Sequence, residues 1–101
     1  MEQIERIRHF EMLLDRVAPV LGNLEEALDA FDGIQEDVRE LSSYYESDEW
    51  REDFEDDDAG RLPKDLKRGV LSEDGIYDVL SDHYALTVRL LDTVSGILKN
   101  R

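Results

Sequence analysis

The chain has 101 residues, 41% hydrophobic and 38% charged, with 26 acidic against 12 basic side chains and a net charge of −14. That length fits one domain with one modest core. The charge disfavours direct binding to nucleic-acid phosphates or anionic lipid and favours a basic protein partner or a cation; the absence of cysteine excludes disulfides, a thiolate nucleophile and cysteine-ligated zinc.

The opening Met1-Glu2-Gln3-Ile4-Glu5-Arg6 has neither the basic nor the apolar region of a signal peptide. No apolar run approaches the ~20 residues of a membrane helix. A cytoplasmic protein without membrane association is the expectation. From Glu2 to Tyr45, apolar residues recur at Ile7, Phe10, Leu14, Val17, Leu21, Leu24, Leu28 and Phe31, in alternating steps of three and four. This heptad spacing predicts a long amphipathic helix over 2–45. After a three-residue step to Ile34 the stripe continues through Val38, Leu41 and Tyr45. Pro19 removes one helical hydrogen bond and crowds the preceding turn, at a cost of ~3 kcal/mol. Either the helix kinks there and continues, or it stops at Gly22 and restarts from an Asn23 cap with Glu26 in the capping-box position. The stripe keeps its phase from Leu14 through Leu28, which favours a kinked, continuous helix.

The block 46–69 is dense in charge and aromatics. Ser47 reads as an N-cap, with Asp48 and Glu49 in the first turn, where negative charge suits the helix dipole. Trp50 and Phe54 lie four apart on one face, and the helix ends near Ala59-Gly60. Leu62 to Arg68 reads as a short helical turn with Pro63 near its start and Gly69 at its end. Ser72 caps a second long helix over 72–99, with Ile76, Val79, Leu80, His83, Leu86, Leu90, Val94 and Ile97 on one face.

Neither arm is stable alone, because helix stability comes mostly from packing. The expected fold is a single all-α domain over 1–101, an antiparallel helical hairpin or a three-helix bundle with the acidic-aromatic block at the turn. The arms differ in length, about 65 Å against about 40 Å at ~1.5 Å per residue. The surplus of the first arm must bend back at Pro19 or pair with another chain.

Between Glu46 and Asp58 nine of thirteen residues are acidic and Arg51 alone is basic, a local charge of −8; from Arg61 to Arg68 the charge is +3. The acidic run could hold Ca²⁺ or Mg²⁺, with Asp53 and Asp57 as weak candidate ligands. The EF-hand pattern fails there: counted from Asp53, Asp58 takes the glycine position and Lys64 the final glutamate. It could also mimic a phosphate backbone and occupy a nucleic-acid-binding protein, or be a solvated helix face. The basic segment could hold a phosphate or an acidic partner. Its proximity favours intramolecular pairing, with Lys67 or Arg68 reaching back to Asp53 or Asp57 and Arg68 suited to a bidentate contact. Tyr44, Tyr45, Trp50, Phe54 and Tyr77 gather around the turn, where aromatics close small bundles or form binding hot spots. His9 and His83 lack the spacing of a di-metal carboxylate bundle, and no nucleophile, base and oxyanion hole assemble.

The string Tyr44-Tyr45, Asp48-Glu49-Trp50, Asp53-Phe54 and Gly60-Arg61-Leu62-Pro63-Lys64-Asp65-Leu66-Lys67-Arg68-Gly69-Val70-Leu71-Ser72-Glu73-Asp74-Gly75-Ile76-Tyr77 resembles a family of short bacterial proteins, domain of unknown function 4298. The start, Met1 to Ile7, is similar too, while Pro19 departs from the family's pattern. The resemblance implies a helical, cytoplasmic bacterial protein and supplies no activity. The functional expectation is therefore a protein–protein interaction module, with Tyr44, Tyr45, Trp50, Asp53, Phe54, Lys67 and Arg68 as candidate contacts. The partner would be a second copy of the chain or a basic protein, with no cofactor. A divalent-cation protein and an acidic mimic are the alternatives, and an enzyme using Asp53 or Asp57 with a metal is a more distant one.

Overall fold

The computed structural model describes residues 2–101; Met1, the first residue of the family-like opening, lies outside them. The described residues are all-α, as the periodicity predicts. They form four α-helices and a 3-10 turn, with no strand among them. They fall into two contact units, one ending at Glu36 and one spanning Asp37–Arg101.

In the first unit, α1 (Gln3–Gly33) starts from an extended Glu2 with no side-chain cap, and Glu5 sits in its first turn. The backbone N–H of Arg6 donates to the Glu2 carbonyl at 2.8 Å. The helix runs uninterrupted through Pro19, so the restart at Asn23 does not occur. One missing backbone bond is a local loss, and the in-phase stripe gives no reason to break. The single helix expected over 2–45 instead resolves into two, α1 and α2 (Gln35–Tyr45). The division falls at Ile34, at the three-residue step that rotates the stripe. Gly33 is a poor helix former, and the Ile34 N–H turns back to the Phe31 carbonyl at 3.3 Å. The Gln35 side-chain Nε2 donates to the same carbonyl at 2.8 Å, taking the acceptor that a continuing helix would give to its own backbone. Among the described residues α1 buries none.

The second unit is a small helical bundle. The C-terminal part of α2, α3 (Asp48–Asp58) and the start of α4 (Glu73–Lys99) gather around Trp50, Leu71 and Ile76, its buried hydrophobic residues. Leu41, Tyr44 and Tyr45 from α2, Phe54 from α3, Leu62 from the connection and Leu80 from α4 pack against that cluster. Truncating a buried tryptophan to alanine costs roughly 3–5 kcal/mol, so Trp50, only 7% exposed, contributes a large share of so small a core.

Serines set both helix starts. Ser47 Oγ accepts from the Trp50 N–H at 3.1 Å and donates to the Tyr44 carbonyl at 2.6 Å, which ties the end of α2 to the start of α3. Ser72 Oγ accepts from the Gly75 N–H at 3.3 Å and caps α4. The end of α3 is a Schellman arrangement. The Gly60 N–H donates to the Asp57 carbonyl at 3.0 Å and the Arg61 N–H to the Asp56 carbonyl at 2.9 Å, with Gly60 at φ 72°. The helical turn expected over Leu62–Arg68 is only a turn, closed by the Leu66 N–H on the Pro63 carbonyl at 3.2 Å. Gly69 opens a 3-10 turn, Gly69–Leu71, rather than ending a helix. The connection stays irregular because its ends are held from outside it, by contacts to Asp56, Asp57 and Trp50.

A side chain at a positive φ is strained by about 1–2 kcal/mol. Replacing Gly60 with alanine is expected to lower stability by about 1 kcal/mol, a fall of roughly 4–8 °C in Tm for a domain of this size. Thermal unfolding followed by Trp50 fluorescence checks it.

Candidate functional site

The site predicted from sequence is where α2, α3 and the basic connection meet. Trp50 is its centre. Its indole Nε1–H donates to the Val70 carbonyl at 2.9 Å, so the one polar atom of the ring is satisfied while its apolar surface is buried. Phe54, one helical turn on, stacks on it with ring centroids 5.2 Å apart and 23° between planes. Tyr45 meets it edge-on at 4.9 Å and 77°. Both are preferred aromatic geometries, each contributing about 0.5–1.5 kcal/mol beyond the area buried. Tyr77 is 58% exposed and lines a groove with Tyr45, Leu80 and Tyr84.

From α2, the Tyr44 hydroxyl donates to Asp53 Oδ2 of α3 at 2.5 Å. Burial of the phenol, then the Asp53 hydrogen bond and the negative charges of Asp53 and Glu49, push its pKa up from 10 to about 12. Each cause disfavours a phenolate, so Tyr44 is a fixed donor over the physiological range.

The C-terminal turn of α3 carries Asp56, Asp57 and Asp58, where the helix dipole is negative and carboxylates are disfavoured. Two of them are answered by the basic connection. Arg68 Nη1 donates to Asp57 Oδ1 at 2.8 Å, with both side chains about one-third exposed. Arg61 Nη1 donates to Asp56 Oδ1 at 2.9 Å, further into solvent. The pairing of Arg68 with Asp57 follows the sequence expectation, but through one hydrogen bond rather than a bidentate fork. Lys67 is exposed and lies on the rim of two shallow grooves, one with Leu41, Val70, Ile76 and Val79, the other with Tyr44, Asp53 and Leu62.

Tyr44, Tyr45, Trp50, Asp53 and Phe54 are thus brought together, the rings around Trp50 and Tyr44 on Asp53, and Arg68, paired with Asp57, lines one groove with Tyr44 and Asp53. The weak metal candidates each hold an internal partner, Asp53 with Tyr44 and Asp57 with Arg68. Among the described residues no group of three His, Asp or Glu side chains is placed to hold a metal ion. Sequence reasoning missed the bonds of Trp50 to Val70, Tyr44 to Asp53 and Arg61 to Asp56. A Cβ on Gly75 would stand 3.1 Å from the Gly69 carbonyl oxygen, so the glycine permits the 3-10 turn to approach α4 closely.

The site defines an all-α acidic protein whose charged helix is braced by the basic segment that follows it. The chain belongs to the family described as Domain of unknown function (DUF4298), which matches residues 7–93. No curated protein and no solved structure matches it.

Two outcomes are expected. In a double-mutant cycle, Arg68→Lys and Asp57→Asn couple by about 0.5–1 kcal/mol at low salt, whereas Arg68→Lys and Asp53→Asn stay within the ~0.3 kcal/mol of independent sites; thermal unfolding measures both. For Tyr44, the folded pKa lies above the unfolded one. The contribution of its neutral form is complete below pH 10 and is lost as pH rises through about 12. Tyrosinate absorbance of the folded protein will show a late-ionising phenol that Tyr44→Phe removes.

Proposed function

We propose that this chain is a small protein–protein interaction module of the bacterial cytoplasm that works by self-association through α1. The observation that carries this reading is the heptad stripe of α1, left open along its length: Ile7 is 53% exposed, Phe10 56%, Leu14 59%, Leu21 59% and Leu24 47%. An amphipathic helix gains most of its stability from packing that face. A solvated stripe spanning the roughly three to four heptads that a coiled coil needs is surface in want of a partner. A second copy supplies the same stripe and meets it by two-fold symmetry. The aromatic and ionic contacts around Trp50 support a division of labour in which the second unit is a folded body and α1 is the contact element. No helix among the described residues is long and apolar enough to cross a membrane.

A basic protein is the second reading. It is favoured by the outward carboxylates of α3, since Glu49, Glu52, Glu55 and Asp58 are exposed. Ionic strength separates the two. Copies carrying −14 each repel, and salt screens that repulsion over ~10 Å at 0.1 M. Self-association through an apolar stripe therefore strengthens with salt, while capture of a basic partner weakens.

Leu14→Lys with Leu21→Lys is expected to abolish association and leave Trp50 emission unchanged, because both leucines are solvated within α1. Light scattering at micromolar concentration reads a multiple of 11.7 kDa for the parent chain and the monomer mass for the variant. A parent chain that stays at the monomer mass over a tenfold dilution range defeats the proposal.

A further inference from the structure

Resting on this self-association reading, we infer that two copies of α1 pair parallel and in register, an orientation selected by Arg6 and Glu11. With Ile7 at position a and Phe10 at position d of the heptad, and every seventh residue after them, Arg6 falls at g while Glu11 and Glu25 fall at e. Residues at e and g flank the apolar seam and decide orientation and partner. In a parallel pair, g of one helix lies beside e of the next heptad on the other. Arg6 then meets Glu11 of the second copy, and symmetry forms the pair twice. Both side chains are exposed, and neither has an ion pair among the described residues, so both are available.

An antiparallel pair brings e against e and g against g. With the seams matched, Leu14 packs on Leu24 of the second copy, and Glu11 stands opposite Glu25 twice. Like charges set directly opposite one another repel. The intervening g positions offer no cation to relieve them, being Leu13, Val20 and Ala27. The apolar seam itself closes in either direction. The charges therefore decide, and they replace two repulsions with two attractions in the parallel form.

Because the chain has no cysteine, introduced thiols report the orientation in the full-length protein. Phe10 occupies position d and Leu28 position a within α1, and both are exposed. In the parallel form Phe10 lies beside Phe10 of the second copy; in the antiparallel form it lies beside Leu28. Under mild oxidation an equimolar mixture of the Phe10→Cys and Leu28→Cys variants is expected to yield the two symmetric disulfide dimers. A predominance of the mixed dimer overturns the orientation while leaving self-association standing. A parent chain that is monomeric throughout overturns both. Glu11→Arg supplies a readout of opposite sign. It sets Arg6 against a second arginine in the parallel form and weakens dimerisation by about tenfold. In the antiparallel form it would pair with Glu25 and tighten the dimer, which would also overturn the inference.

Discussion

The hydrogen bond from the Trp50 indole to the Val70 carbonyl spans 20 residues, and the packing of the second unit depends on it. A tryptophan buries well only if its N–H finds an acceptor, since an unpaired buried donor costs about 1–3 kcal/mol. Val70 lies in the 3-10 turn immediately before the Ser72 cap, so satisfying the indole also fixes where α4 begins. Leu71 and Ile76, the other buried residues, flank that cap and are carried into the core with it. Ser47 does the same from the other direction by capping α3 on the Trp50 N–H itself. The two serine caps and the indole bond thus hold three chain segments around one ring.

The charge distribution around that ring has its own logic. Acids at the start of α3 suit the helix dipole, and acids at its end oppose it. The sequence nonetheless places three aspartates at the end. The reversal at Gly60 and the turn at Pro63 return Arg61 and Arg68 to Asp56 and Asp57, so the adverse charge is met within the same chain. Exposed ion pairs contribute only ~0–1 kcal/mol each. Their role is therefore to shape the path of the connection more than to stabilise the fold. Tyr44 of α2, a neutral donor to the Asp53 carboxylate of α3, adds a charge-assisted hydrogen bond and leaves the net charge unchanged.

The two units contrast in how their apolar residues are used. Around Trp50, aromatic rings meet in defined geometries and every buried side-chain polar atom among the described residues has a partner. Along α1 the apolar residues are regular in spacing but solvated. On the proposed reading the unit around Trp50 is the folded body and α1 the surface it offers. The net charge of −14 then sets a repulsion that two copies would have to overcome.

The sequence by itself determined the local features. The stripe from Ile7 to Phe31 specified α1, Ser47 and Ser72 marked two helix starts, Gly60 marked a helix end, and the opposed charges brought Arg68 to Asp57. Each is set by neighbours within about a dozen residues, where periodicity, capping chemistry and charge are legible. Even the division at Ile34 left a trace, as the three-residue step in the stripe, although the Gln35 side chain that takes the Phe31 carbonyl did not. Only the tertiary structure decided that the Trp50 indole would find Val70, that Tyr44 would find Asp53, and that Gly75 would admit the Gly69 carbonyl. The first and last depend on how the irregular connection after α3 is routed, and the second on how the Ser47 turn sets α3 against α2. A backbone carbonyl or a glycine's missing Cβ carries no sequence signal of the partner it will meet.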